Sequence, residues 1–223
     1  MADQLVYHYL TLGRLGRGEV VNLFLKDAGF EFKDVRYAYD ETWPETSKKL
    51  QQEGLTRTGL LPAVEYKGER LTQHLPILRY FAREVGGYDG ETNWEKYIVD
   101  AVGDIYVDWR VRPTFSIPCA MHPDAQTNTS QSHWVANLKG GNADYKSKIV
   151  PEYYNLVGQY YSEREGPYLL GDKVTYVDFA VFQSIDNDRR TGTLPESLPE
   201  SLVRFEKAFE ARPKIAEYIK EHK

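Results

Sequence analysis

Residues 59–83 read GLLPAVEYKGERLTQHLPILRYFAR, and the order of patterns in this stretch decides the fold of the first half of the chain. The runs AVEY and ERLTQ flank a lysine-glycine pair, which is typical of two paired strands joined by a tight turn. Leu75, Leu78 and Phe81 then recur at helical spacing until a pair of glycines ends the pattern. The stretch therefore predicts a β-hairpin followed by a helix.

The residues before this stretch predict a β-α-β unit. LVYHYL, over Leu5–Leu10, mixes aromatic and branched residues as short strands do, and glycines mark the loop after it. An apolar pattern at helical spacing begins at Glu19 and stops at Gly29, and FEFKDVRY is typical of a second strand. With a short polar helix in DETWPETSKKLQQEG, residues 1–86 are predicted to fold as β-α-β-α-β-β-α.

The second half of the chain has a different pattern. A glycine-rich linker over residues 87–93 precedes apolar residues that recur at helical spacing from Ile98 onward. Several prolines interrupt the pattern over residues 113–123, where we expect a bent helix end or an extended loop. We therefore predict an α+β protein whose second domain, residues 94–223, is all-helical.

Composition narrows the class of protein. Of 223 residues, 41% are hydrophobic and 13% aromatic, enough for a sizeable core. The 28 Lys and Arg residues are interspersed among 33 Asp and Glu residues, which argues against an electrostatic nucleic-acid site. No apolar run approaches the roughly 18 residues of a membrane span, and the N-terminus lacks a secretory pattern. Because Cys119 is the single cysteine, no intramolecular disulfide forms, and we expect a soluble cytoplasmic protein.

Several blocks, taken in chain order, resemble the glutathione transferase family. They are GRGEVVNLFLKDAGFEF, ETWPE, the LLP, LTQH and PILRYFAR segments of the opening stretch, YLLGDKVTYVDFAVF, and FEARPKIAEYI. The Trp-Pro segment is similar to the sigma-like group, and TLGRLGRGE favours a fungal member. The resemblance implies a thioredoxin-like first domain, an all-helical second domain, glutathione as co-substrate and a homodimer.

The resemblance also implies ligands for glutathione in the first domain. Leu61, held by Pro62, would pair with the cysteinyl backbone, and a cis bond before the proline is one way to present it. Trp43 and Lys48 would face the glycyl carboxylate, although the register of that polar helix also allows Lys49. On their own, a tryptophan in this position is often a packing residue and the lysines are a solvated face.

Gln73 and His74 stand where the family has Gln or Glu followed by serine, at a predicted helix N-terminus. Backbone N–H groups there suit the γ-glutamyl carboxylate. His74 departs from the family pattern: its ring either donates a hydrogen bond to that carboxylate or fills the pocket.

An acidic stripe is predicted on the long helix of the second domain, because Asp100, Asp104 and Asp108 recur at helical spacing. In sigma-like proteins a matching aspartate reaches across a dimer interface to the amino group of glutathione, and Asp108 has that register. The alternative is an exposed stripe with no ligand.

The glutathione thiol needs a hydrogen-bond donor, because a thiol has an ordinary pKa of about 8.5 and a two-unit decrease requires roughly 2.7 kcal/mol. The family uses a tyrosine at the end of the first strand. Counting back from Arg17 without gaps puts Thr11 at that position, whereas Tyr9 fits if the loop carries two extra residues. Tyr9 is the better acid, and Arg17 would add positive charge near the sulfur.

The remaining predictions concern an acceptor pocket, metal ligands and a helix cap in the second half of the chain. Tyr106, Trp109 and Arg110 are predicted to form part of an acceptor pocket for an apolar substrate. His122 and His133 lack the spacing of metal ligands, so no metal is expected, and TYVD at Thr175–Asp178 is a capping box.

These residues predict a glutathione transferase that activates the thiol for attack on a small electrophile, with a role in detoxification. Two alternatives remain open. One is a glutathione-dependent isomerase or biosynthetic enzyme, and the other is a binding or regulatory protein without catalysis.

Overall fold

The computed structural model describes residues 4–111 and 145–222. They form two compact units, which divide between Asp89 and Gly90, inside the predicted linker. The second unit ends at Ala208, and from Phe209 the chain packs with the first unit. The predicted second domain ran to the C-terminus, so the last helix belongs to a different unit from the one that the sequence suggested.

The first unit contains a four-stranded sheet. Its strands are β1 (Leu5–Leu10), β2 (Phe32–Tyr37), β3 (Ala63–Tyr66) and β4 (Glu69–Thr72), in the order β2-β1-β3-β4. Strand β1 is parallel to β2, and the other two pairs are antiparallel. The helices are α1 (Arg17–Ala28), α2 (Trp43–Gln52) and α3 (His74–Val85). The element order β-α-β-α-β-β-α is therefore the predicted one.

Glycines and their neighbours act as the sequence predicts at the ends of these elements. Lys67 and Gly68 join β3 to β4 with φ angles of 50° and 79°, the left-handed pair of a tight hairpin turn. Gly29 and Gly86 end α1 and α3 with φ angles of 83° and 69°.

The second unit is helical in its described residues. It contains α4 (Asn93–Val111), a π-helical turn (Tyr145–Ile149), α5 (Val150–Tyr160), α6 (Tyr176–Thr191) and most of α7 (Glu200–Glu210). Cys119, His122, His133 and the proline-rich stretch lie outside the described residues. Among the helices of the described ranges, none has the length and apolar character needed to cross a membrane.

The predicted capping box starts α6. The backbone N–H of Thr175 donates to Asp178 Oδ2 over 2.6 Å, and the reciprocal cap is present. Asp178 also accepts the Tyr161 hydroxyl over 2.6 Å and the Leu169 N–H over 3.2 Å. This carboxylate therefore ties the start of α6 to two neighbouring segments, which is more than a helix cap requires.

The C-terminal helix α8 (Ala216–Glu221) is held to α1 by buried polar groups. Asn22 Nδ2 donates to Tyr218 Oη over 2.9 Å and to Glu19 Oε2 over 3.0 Å. Arg14 donates to the Ile219 carbonyl over 3.2 Å, and its Nε lies 3.5 Å from Glu19 Oε1. Burial raises the pKa of Glu19 to about 7, although Asn22 and Arg14 oppose the change.

We expect Glu19→Gln to alter how stability depends on pH. Because the folded pKa is raised, the folded protein keeps a proton that the unfolded chain releases. The contribution of Glu19 is therefore fully present below its unfolded pKa and is lost as pH rises towards 7. The wild-type minus variant difference in unfolding free energy should fall by about 3 kcal/mol between about pH 4 and pH 8. Urea unfolding at a series of pH values measures it.

The exposed Glu31 supplies the control. Glu31→Gln should leave the pH profile of the wild type unchanged. A Glu19→Gln profile parallel to that of the wild type would contradict the prediction.

Candidate functional site

Tyr9 lies near the end of β1 and is 3% exposed. Its ring lies against the first turn of α1, where a Cβ atom on Gly18 would come within 2.2 Å of the ring carbons. Its hydroxyl is 3.4 Å from the Leu15 carbonyl oxygen, to which it donates. The phenol oxygen therefore reaches the loop that leads into α1, two residues before Arg17.

Thr11, the rival of Tyr9, lies beyond the end of β1. Its backbone N–H donates to the Tyr37 carbonyl over 2.8 Å, and the residue is exposed. Arg17 is the first residue of α1 and is half-buried. The structure thus brings Tyr9 and Arg17 to the same strand-to-helix connection and leaves Thr11 on the surface at its start.

A cation that no local sequence pattern predicts packs on Tyr9. Arg36 is the register partner of Tyr9 across the β1–β2 pair. Its Cζ lies 5.8 Å from the centre of the Tyr9 ring and 5.3 Å from that of Tyr7. Asp34 accepts two hydrogen bonds from the guanidinium, over 2.7 and 2.9 Å, and the Leu10 carbonyl accepts a third over 3.3 Å. Only the strand register reveals this position, because nothing in the local sequence distinguishes Arg36 from a surface arginine.

A polar ladder crosses the opposite face of the sheet. His8 Nδ1 lies 2.9 Å from the Tyr37 hydroxyl, and Nε2 lies 3.1 Å from Glu65 Oε1. Arg70 donates to Glu65 over 3.4 Å and to the Glu53 carbonyl, at the end of α2, over 2.7 Å. Burial lowers the pKa of His8, although Glu65 opposes the change. A neutral ring that donates to Glu65 and accepts from Tyr37 satisfies both contacts. The ladder links the end of α2 to the sheet.

Trp43 and Leu61 pack against one small apolar cluster, formed by Leu50, Leu55 and Ala63. Both residues are half-buried. The peptide bond between Leu61 and Pro62 is cis, which is the arrangement that the sequence analysis offered as one solution. Two of the predicted glutathione ligands therefore lie beside the same apolar cluster of the first unit.

The two lysines of α2 differ in their surroundings, although both are exposed. Lys49 Nζ lies 3.8 Å from Glu53 Oε1, one helical turn away. An exposed pair of this kind contributes little to stability. Lys48 has no such ion pair within the described ranges, so its ammonium group is the more available of the two for an anion.

Gln73 precedes α3 with φ 69° and ψ 113°, a backbone conformation that is costly for a residue with a side chain. It is exposed, and in the part of the chain described here its own side chain does not cap the helix. The first N–H groups of α3 therefore keep their capacity to bind an anion. His74, in contrast, is only 4% exposed. The imidazole lies mostly inside the first unit.

The acidic stripe of the second unit is on the surface. Asp100, Asp104 and Asp108 are all exposed on α4. Asp100 accepts a short hydrogen bond from the Tyr176 hydroxyl. Asp108 lines a cavity of about 270 Å³ together with Ile105, Trp109, Glu152, Tyr153 and Leu156.

The three predicted acceptor residues are less alike than the sequence suggested. Trp109 stacks on Tyr153 with ring centres 4.4 Å apart, and it lines the same cavity. Tyr106 and Arg110 are 0% and 2% exposed and both donate to Gln183 Oε1, over 3.4 and 3.3 Å. An acceptor role thus suits the surroundings of Trp109 better than those of the other two, and for all three it stays a prediction.

A metal site finds no support in the described residues. In residues 4–111 and 145–222, no three His, Cys, Asp or Glu side chains converge as ligands. The expectation that the protein works without a metal stays a prediction.

Known proteins that are similar to this chain are glutathione S-transferases. The sequence model of the glutathione S-transferase C-terminal domain matches residues 124–222. A probable glutathione S-transferase 9 of Caenorhabditis elegans is 27% identical over 221 residues, which cover 96% of this chain and 95% of the relative. The chain is similar to glutathione S-transferases over nearly its whole length. Its relatives also confirm the expectation that the protein is a glutathione transferase enzyme.

Solved glutathione S-transferase structures agree with the fold. A nematode-specific glutathione S-transferase of Caenorhabditis elegans has a TM-score of 0.74 at 24% identity, covering 99% of this chain and 97% of that one. A monomeric glutathione S-transferase of the hookworm Necator americanus has a TM-score of 0.70 at 23% identity, covering 99% and 98%. These likenesses confirm the predicted thioredoxin-like first domain and all-helical second domain.

The assignment to a sigma-like group and to a fungal source stays a prediction. Most of the relatives are nematode proteins, so neither the sigma-like group nor a fungal origin is confirmed.

Proposed function

We propose that the protein activates the glutathione thiol for attack on a small apolar electrophile, with the Tyr9 hydroxyl as donor to the sulfur. The family uses glutathione as co-substrate. The observation that carries the proposal is the position of the Tyr9 hydroxyl, at the connection from β1 to α1 within 3.4 Å of the Leu15 carbonyl. A sulfur atom held at this connection would replace that carbonyl as the acceptor.

The chemistry needs only a hydrogen bond and proximity. A donor to sulfur stabilises the thiolate, and each unit by which the thiol pKa falls corresponds to about 1.4 kcal/mol. The thiolate then forms a carbon–sulfur bond with the electrophile, and the electron pair leaves with the departing group or passes to the acceptor atom. The thiol proton goes to solvent. Arg17 is the first residue of α1, so its positive charge lies at the positive end of the helix dipole.

Glutathione itself would bind along the first unit. Leu61 offers its backbone to the cysteinyl group, and Trp43 and Lys48 face the glycyl carboxylate. The N–H groups at the start of α3, beside Gln73, take the γ-glutamyl carboxylate. His74 adds a donor if its ring turns towards the ligand.

The burial of His74 favours one alternative, a binding or regulatory protein with weak or no catalysis. A ring that is 4% exposed occupies space that the family gives to a serine hydroxyl. A glutathione-dependent isomerase is a second alternative, which an assay of glutathione consumption distinguishes because an isomerase returns the thiol.

The assembly proposed is a cytoplasmic homodimer in which Asp108 of one subunit reaches the glutathione of its partner. Its support is the exposure of Asp108 on α4. A glutathione S-transferase of Necator americanus with the same fold is monomeric. The fold by itself therefore does not imply a dimer, and the dimer is a separate part of the proposal.

Retention on immobilised glutathione tests the site. We expect the protein to bind the resin and to elute with free glutathione. His74→Ser should keep or improve retention, since it restores the family's hydroxyl donor, whereas Trp43→Ala should weaken it. A folded wild-type protein that flows through the resin would contradict the site, and circular dichroism confirms folding.

Tyr9→Phe tests the donor. The change keeps the ring and removes the hydroxyl, so turnover at neutral pH should fall by roughly tenfold or more while the KM for glutathione changes little. The matched control is Thr11→Val, which we expect to be nearly silent because Thr11 is exposed beyond the strand. A larger loss in Thr11→Val than in Tyr9→Phe would reverse the assignment.

Asp108→Ala tests the contact across the dimer. Loss of a charge-assisted hydrogen bond to the glutathione amino group should weaken binding by roughly tenfold. Asp104→Ala, one turn earlier on the exposed stripe, is the control and should bind glutathione as the wild type does. Sedimentation measures the assembly, and a fully active monomer would defeat the role of Asp108.

A further inference from the structure

Arg36 packs on the ring of Tyr9, and the proposed function does not use it. It is anchored on one side by two hydrogen bonds to Asp34 and on the other by the Leu10 carbonyl. These contacts fix the guanidinium in position. A surface arginine without such anchors would sample many rotamers and would interact weakly with any neighbour.

The anchored guanidinium faces aromatic rings. Its Cζ is 5.8 Å from the centre of the Tyr9 ring and 5.3 Å from that of Tyr7, and the two rings stack with centres 6.3 Å apart. A cation at this distance is attracted to the electron-rich face of a phenol, and it is attracted still more to a phenol that develops negative charge. The interaction therefore grows as the hydroxyl gives up its proton to an acceptor.

We propose that Arg36 is a positioning residue for the reaction, which makes the Tyr9 hydroxyl a stronger hydrogen-bond donor to the glutathione thiolate. The inference rests on the proposed role of Tyr9. In this role Arg36 acts through the ring of Tyr9 and not by contact with the substrate.

Charged groups reach this corner from two elements besides β1. Strand β2 supplies Arg36 and Asp34, and the carboxylate of Asp34 offsets part of the positive field. Helix α1 supplies Arg17, its first residue, and Glu19, which interacts electrostatically with both Arg36 and Tyr7. Burial raises the pKa of Tyr7 well above its ordinary value, although Arg36 opposes the change. Tyr7 therefore stays protonated at neutral pH.

The test measures the pH at which Tyr9 ionises. Protein labelled with carbon-13 at the tyrosine Cζ is titrated by NMR, and Tyr9→Phe and Tyr7→Phe assign the two signals. We expect Arg36→Gln to move the Tyr9 midpoint upward by about one pH unit. Arg36→Lys, which keeps the charge without the planar fork, should give a smaller shift. Lys33→Gln, which removes a charge from the other face of β2, is the control and should give none.

Asp34→Asn distinguishes the effect of the Arg36 charge from the effect of disorder in the Arg36 side chain. If charge controls the phenol, removing the negative neighbour should move the Tyr9 midpoint downward. If both Asp34→Asn and Arg36→Gln move it upward, loss of order controls the phenol and the inference is overturned. An unchanged midpoint in Arg36→Gln, or equal shifts in Arg36→Gln and Arg36→Lys, would also overturn it.

Kinetics distinguish this inference from the proposed function. Arg36→Gln should reduce turnover at neutral pH by roughly threefold, with little change in the KM for glutathione, because a stronger acid is the better donor. If Tyr9→Phe lowers turnover but Arg36→Gln changes neither turnover nor the midpoint, only the role of Arg36 fails. If Tyr9→Phe is silent while Arg36→Gln shifts the midpoint, the role of Tyr9 in the reaction fails, and with it the role of Arg36.

Discussion

The first unit depends on strand β1, which is hydrogen-bonded along both edges and buried on both faces. Its partners are β2 on one side and β3 on the other. Because side chains alternate along a strand, Tyr7 and Tyr9 point to one face and His8 points to the other. The same six residues therefore supply a phenol beside α1 and a polar ladder beneath α2. A shift of the register by one residue would exchange the two faces and remove both.

Helix α2 is attached to the sheet partly through the polar ladder, because Arg70 joins the end of the helix to Glu65. Of its residues only Leu50 is fully buried, and burying one leucine contributes roughly 1.5–3 kcal/mol. Trp43 packs against the apolar cluster that contains Leu50, and hydrogen bonds add to this attachment. Ser47 donates to the Gly59 carbonyl over 2.8 Å and Gln51 to the Arg57 carbonyl over 3.1 Å, while Arg70 holds the end of the helix. The attachment of α2 therefore combines one small apolar cluster with hydrogen bonds from two side chains of the helix.

The second unit is stabilised differently, because α6 is buried along most of its length and carries carboxylates into the core. Asp188 accepts hydroxyl hydrogen bonds from Tyr145, Tyr154 and Thr193, over 2.9, 2.8 and 2.6 Å. Burial raises the pKa of Asp188, although these donors oppose the change. Buried carboxylates are tolerated only where such partners exist. Two of the 17 tyrosines, Tyr145 and Tyr154, therefore serve as hydrogen-bond donors to a carboxylate inside the helical unit.

Local patterns in the sequence determined the order of strands and helices, the hairpin turn at Lys67, the capping box of α6 and the resemblance to glutathione transferases, because each depends on neighbours within a few residues or on blocks in chain order. The tertiary structure decided the contacts between distant segments. The strand register placed Arg36 opposite Tyr9, and packing of the first unit buried His74. Hydrogen bonds such as that between Asn22 and Tyr218 attach the last helix to the first unit. No local pattern specifies such contacts, since hydrophobic spacing indicates which face is buried but not which side chain it meets.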